Sequence, residues 1–157
     1  MNIIKLRLFC VYIATLAGIG KLPFAPGTWA TYCTLPIVYL ISLFSFSLYT
    51  HLIIVLCMLF CSYGIIAFAL PHFDNNNDPS EIVLDEYMGT LITFIGVPIT
   101  WKTLVLGFFF FRFFDIVKPF GIKRLEKIAG AAGILADDSL AALYAACLLH
   151  LYSWFFV

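Results

Sequence analysis

Residues 29–70 read WATYCTLPIVYLISLFSFSLYTHLIIVLCMLFCSYGIIAFAL. Between Lys21 and Asp74 there is no Asp, Glu, Lys or Arg, and His51 is the one histidine within the apolar run 29–70. A helix needs about 20 apolar residues to cross a hydrocarbon core about 30 Å thick, so this stretch is long enough for two crossings. The spacing predicts helices over 29–48 and 51–70, joined by a polar turn at Tyr49, Thr50 and His51. Pro71 ends the second helix.

The rest of the chain is nearly as apolar. Of its 157 residues, 63% are hydrophobic and only 11% are charged, against about 45–50% and about 25% in soluble domains. Mean hydropathy is +1.02. So little polar surface cannot cover a water-soluble globule. The expected fold is all-α: a multihelical integral membrane protein, with residues 1–157 forming one domain. Formal net charge is zero, which points away from nucleic acid as a partner.

Lys5 and Arg7 precede an apolar run over 8–17 and loosely imitate a secretory signal. A Gly/Pro-rich loop and then more apolar sequence follow, so a short helix against or partly in the membrane is the expectation. Cys57 and Cys61 share a helix face, but no His or third Cys lies nearby. They read as reduced packing residues.

Downstream, 87–111 is apolar but interrupted by Pro98, Thr100, Trp101 and Lys102, and a basic segment over 112–127 follows. Residues 140–157 are long enough for one more span. Basic residues favour the cytoplasmic side, which puts Lys5, Arg7, Lys21 and the 112–127 cluster there. The interrupted segment then has to return to its starting side as a hairpin of two short arms, turning at 98–102. A single span is the competing reading, and it would place the basic cluster outside. With the hairpin, about four to five helices are membrane-embedded and the C-terminus lies outside.

Eight of the nine acidic residues fall in three places: 74–86, Asp115, and Asp137–Asp138. In DPSEIVLDEYMG, Pro79 suits a first helical turn and Asp78 its N-cap. Asp78, Glu81 and Asp85 would then share one face, with Glu86 on its flank and Gly89 leaving room beside it. Such a stripe of hard oxygen ligands suits Mg²⁺, which takes one or two carboxylates plus waters and phosphate oxygens. A solvated acidic face is the plainer alternative.

In FFFFRFFDIVKPFGI, Arg112 and Asp115 are spaced i, i+3 and Lys118 precedes the helix-breaking Pro119. They read either as a self-neutralising pair or as phosphate-binding groups. In GAAGILADDSLAALYA, Asp137 and Asp138 read as caps of the last helix or as further ligands. GIGKLPFAPGTWAT offers Lys21, Thr28 and a Gly-rich backbone for a phosphate, although it is not a Walker A motif.

These four segments, in this order, resemble the phosphatidylglycerophosphatase A family from Gly18 to Ala142. Gly18, Gly20, Pro23, Pro26, Gly27 and Thr28 match the first motif. Asp78, Pro79, Glu81, Asp85, Glu86 and Gly89 match the second; Arg112, Asp115, Lys118 and Pro119 the third; and Gly130, Gly133, Asp137 and Asp138 the fourth. Departures occur at Ala30, Ala131 and Ala142, where glycine is usual, and at Gly121, where proline is usual.

The resemblance implies a multihelical fold and Mg²⁺-dependent hydrolysis of the terminal phosphate of phosphatidylglycerophosphate. The products are phosphatidylglycerol and inorganic phosphate. It also implies a phospholipid substrate and a bacterial inner-membrane location, with the site facing the cytoplasm. Carried onto this chain, Asp78, Glu81, Asp85, Asp137 and Asp138 become metal ligands. Asp85, Glu86, Arg112, Asp115 and Lys118 become catalytic residues, and Lys21, Thr28, Arg112 and Lys118 bind phosphate. A phosphotransferase using a CDP-linked lipid would need a different Asp-rich motif. A non-enzymatic membrane subunit or carrier would line a path through the bilayer, whereas these acids gather at helix ends.

Overall fold

The structure, a computed structural model, describes residues 3–73 and 79–156. These form six α-helices: α1 (Ile3–Ala14), α2 (Pro26–Ser42), α3 (Leu48–Ala69), α4 (Leu84–Thr93), α5 (Trp101–Val117) and α6 (Ala131–Phe156). Short 3-10 turns lie at Leu16–Lys21, Leu70–His72 and Ile122–Lys127. No strand occurs among the described residues.

The two-helix reading of 29–70 holds, with shifted boundaries. The turn falls at 43–47, ahead of Tyr49. The physical reason is Ser47, whose hydroxyl accepts from the Thr50 backbone N–H at 3.2 Å and caps α3. α2 starts at Pro26, a favoured first-turn residue. Only Val55, Ser62, Ile66 and Ala69 of α3 are buried, while its outward face carries Leu52, Ile53, Leu56 and Phe60. An apolar helix with an apolar outer face is at home in lipid. Leu48–His72 and Ala131–Phe156 are long and apolar enough to cross a membrane, consistent with a membrane protein.

Cys57 and Cys61 lie on that exposed side, so they are not packing residues; of the five free cysteines only Cys10 is buried.

The interrupted segment is two antiparallel helices, not one. Gly89 of α4 meets the Phe111 ring, and Phe94 just past α4 meets Gly107, so the contact partners run in opposite directions. The arms are unequal, however. α4 has 10 residues, while α5 has 17 and continues through Arg112 and Asp115 to Val117. Thr100 and Thr103 form a capping box that starts α5. At the other end, Lys118 adopts a left-handed conformation (φ 48°) just before Pro119 and stops it.

α4 is the centre of the bundle. Eight of its ten residues are buried, and it packs against α2, α3, α5 and α6. A bond from the Val83 N–H to the Ala14 carbonyl (3.0 Å) ties its entry to the end of α1.

Candidate active site

Four segments distant in sequence meet at one end of the bundle around a cavity of about 360 Å³. The first turn of α2 supplies Gly27 and Thr28. The start of α4 supplies Asp85 and Glu86, the last two turns of α5 supply Arg112 and Asp115 with Lys118 just beyond, and α6 supplies Asp137 and Asp138. Asp85, Asp115, Asp137 and Asp138 are each no more than 8% exposed. A buried carboxylate is costly unless it is paired or holds a cation, so four together in so apolar a chain mark a site.

The carboxylates divide into two groups. One oxygen from each of Asp85, Glu86 and Asp138 lies within 4.8 Å of the other two. Among the described residues, Glu86 Oε2 and Asp138 Oδ2 have no hydrogen-bond partner. A compact set of hard oxygens with unmet lone pairs fits Mg²⁺ and gives no reason to favour a softer ion.

The remaining two are engaged by cations. Arg112 Nη1 lies 2.6 Å from Asp115 Oδ2 and 4.0 Å from Glu86 Oε1. Lys118 Nζ donates to Asp137 Oδ2 at 2.5 Å and lies 2.9 Å from Glu126 Oε1. Burial works against the lysine charge, but these two carboxylates outweigh it and raise the Lys118 pKa above the ordinary lysine range. Lys118 therefore stays cationic at neutral pH.

Close backbone approach builds the cavity. A Cβ on Gly27 would run into the Glu86 carboxylate and come within 3.2 Å of Arg112 Nη1. A Cβ on Gly20 would collide with the Glu81 carbonyl, and one on Gly133 with the Ile128 carbonyl. Glycine at these positions lets the N-terminal loop lie on the acidic segment and the 122–127 turn fold back on α6.

Two readings of the acidic residues change. Asp78 lies outside the described residues. Glu81 does not share a helical face with Asp85, because α4 begins only at Leu84 and Glu81 sits in the preceding turn. Glu81 instead lines a neighbouring recess of about 770 Å³ together with Lys21 and His72. Asp137 and Asp138 are not caps either; α6 begins at Ala131, after Gly130 at φ 77°, and both acids lie well inside it.

Thr28 reaches the main cavity, whereas Lys21 is exposed and lines only the recess. Glu126, the second partner of Lys118, escaped the sequence reading. It sits among surface cations of a basic turn, and no spacing rule links it to Lys118.

Fold and cavity together define an all-helical protein with an acidic, cation-lined cavity at one end of its bundle. Residues 12–153 match the family described as Phosphatidylglycerophosphatase A, and the chain belongs to that family. It is 36% identical over 148 residues to a candidate phosphatidylinositol-3-phosphatase of Bacteroides thetaiotaomicron, covering 92% of this chain and 93% of that one. It is 36% identical over 134 residues to phosphatidylglycerophosphatase A of Haemophilus influenzae (82% of this chain, 78% of the relative). The Escherichia coli phosphatidylglycerophosphatase A is 30% identical over 136 residues (85% and 77%). No solved structure matches the chain.

Proposed function

We infer that this phosphatidylglycerophosphatase works in the cavity between α2, α4, α5 and α6. There it hydrolyses the terminal phosphate of phosphatidylglycerophosphate to give phosphatidylglycerol and inorganic phosphate. The observation that carries the reading is the meeting of the Asp85–Glu86–Asp138 cluster with Arg112 and Lys118 around one opening.

Asp85, Glu86 and Asp138 would hold Mg²⁺. When bound, the ion supplies Lewis-acid polarisation of the phosphoryl group and lowers the pKa of a bound water. Arg112 offers a planar fork to two phosphoryl oxygens, and Lys118 a point charge to another. Asp115 keeps the guanidinium turned toward the cavity, and Asp137 does the same for the Lys118 ammonium. Water attacks phosphorus, its proton passes to a cavity carboxylate, the bond from phosphorus to the glycerol oxygen breaks, and that oxygen leaves after taking up the proton from the carboxylate. Thr28, in the first turn of α2, is placed to donate a hydrogen bond to the phosphate.

α2 and α3 would cross the membrane as a pair, α4 and α5 would return as the hairpin, and α6 would cross last. Exposed Trp101 and Lys102 mark the end of α5 opposite the site. The basic turn at 122–127 lies beside the site, so the positive-inside rule puts the cavity on the cytoplasmic side.

The test is phosphate release by the purified protein, with and without Mg²⁺. The substrates are phosphatidylglycerophosphate, phosphatidic acid, phosphatidylinositol 3-phosphate and a soluble phosphomonoester. Mg²⁺-dependent release strongest with phosphatidylglycerophosphate is expected; release from none of them would overturn the reading.

A further inference from the structure

Next to the acidic cavity, between α2 and α5, lies a groove of about 380 Å³. Thr28, Arg112 and Ile116 line both spaces. Beyond those shared walls the groove is hydrocarbon: Phe108, Phe109, Phe113 and Val117. Resting on the cavity as the phosphatase site, we propose that this groove receives one acyl chain of the lipid substrate.

Continuity is the first argument. A lipid phosphate has to place a charged head among carboxylates and cations while its chains stay in an apolar medium. Arginine suits the boundary, since it carries a charged head on an apolar stem. The recess at Lys21 also adjoins the cavity, through Pro26, Pro79 and Ser80, but Lys21, His72 and Glu81 make it polar. A second apolar groove, between α3 and α6 around Leu56, Phe60 and Leu143, shares no wall residue with the cavity.

Direction is the second argument. Phe108 and Phe109 lie about one helical turn, roughly 5 Å, from Arg112 toward the Trp101 end of α5. A chain entering beside Arg112 would therefore run away from the polar end of the bundle, as a lipid chain runs from its headgroup. Phe109, Phe113 and Val117 are each more than half exposed, so the groove opens sideways to lipid.

The first measurement needs no variant. The full chain, in phosphatidylcholine vesicles with EDTA, is irradiated with phosphatidylglycerophosphate bearing a diazirine in one acyl chain. Labelling on residues 108–117 is expected to exceed that on 135–143 by about fourfold, the preference that burying about one methylene supplies. Equal labelling of the two segments would overturn the proposal. So would the same pattern from diazirine-bearing phosphatidylcholine, which would make the occupant bulk lipid.

The second measurement is kinetic. Phe108→Trp, which narrows the groove on the side of Arg112 that the chain is proposed to follow, is expected to lower kcat/KM for a long-chain substrate about fourfold or more, the worth of about one buried methylene. A hexanoyl analogue should stay within about twofold, Phe108→Leu should keep the wild-type long-chain rate, and Leu143→Trp in the other groove should leave both rates alone. An unchanged ratio between the long and short substrates would overturn the proposal. If the wild type releases phosphate from neither lipid, the phosphatase reading fails, while the labelling pattern still reports on the groove.

Discussion

Asp85 sits at the start of α4, 8% exposed, among buried hydrocarbon. Replacing it with Asn keeps its shape and removes its charge. Phosphate release is expected to fall by about a hundredfold or more, the usual loss when a charge-stabilising group leaves a preorganised site. The variant should still elute from detergent-solubilised membranes as the folded species; activity within tenfold of wild type would remove Asp85 from its proposed role. Arg112→Lys keeps the charge but loses the fork geometry, and a drop of about tenfold or more is expected. Glu126→Gln touches a residue outside the cavity, and its phosphate release should stay within about threefold of wild type, because Lys118 retains Asp137.

Among the elements, the α4–α5 hairpin makes the sharpest demand. Gly107 accepts the edge of the Phe94 ring where a Cβ would stand, and a Cβ there would also come within 3.0 Å of Leu149. Gly107→Val therefore overpacks the meeting of α5, α6 and the 94–100 turn, and a destabilisation of about 1–3 kcal/mol is expected. A lowered thermal midpoint, with phosphate release at low temperature largely kept, is the result to look for, since the acidic cavity lies at the other end of α5. Gly27→Ala should act differently: its Cβ would displace the Glu86 carboxylate, so activity should suffer more than stability.

For the whole molecule, the cavity requires Asp85 and Lys118 to open on one side of the bilayer. Single-cysteine labelling in oriented vesicles, at Lys123 beside the site and at Trp101 at the opposite end of α5, should report opposite sides, with Lys123 cytoplasmic. Labelling of both from one side would dismantle the proposed orientation. Removing divalent ions with a chelator should abolish phosphate release, and adding Mg²⁺ back should restore it; undiminished release in chelator would remove the metal from the mechanism.

Much of this molecule was legible in one dimension because charge in an apolar chain is scarce and each instance needs a reason. Absence of charge from 22 to 73 announced paired helices, and the break at Pro98–Lys102 announced the hairpin. The clustering of acids, together with Arg112, Asp115 and Lys118, marked the cavity. Local chemistry alone moved the turn to 43–47, through the Ser47 cap.

What required the folded chain was selection among the acids. Proximity of Asp85, Glu86 and Asp138 depends on where α4 begins and on how α6 crosses it, and helical periodicity run from Asp78 could not yield that because 79–83 is not helix. Tertiary packing alone brought Asp137 and Glu126 to Lys118, pressed Gly27 against Glu86, and set an apolar groove beside the cavity. A sequence specifies which side chains a membrane chain carries at its helix ends; only three-dimensional packing determines which of them come within reach of one ion or one phosphate.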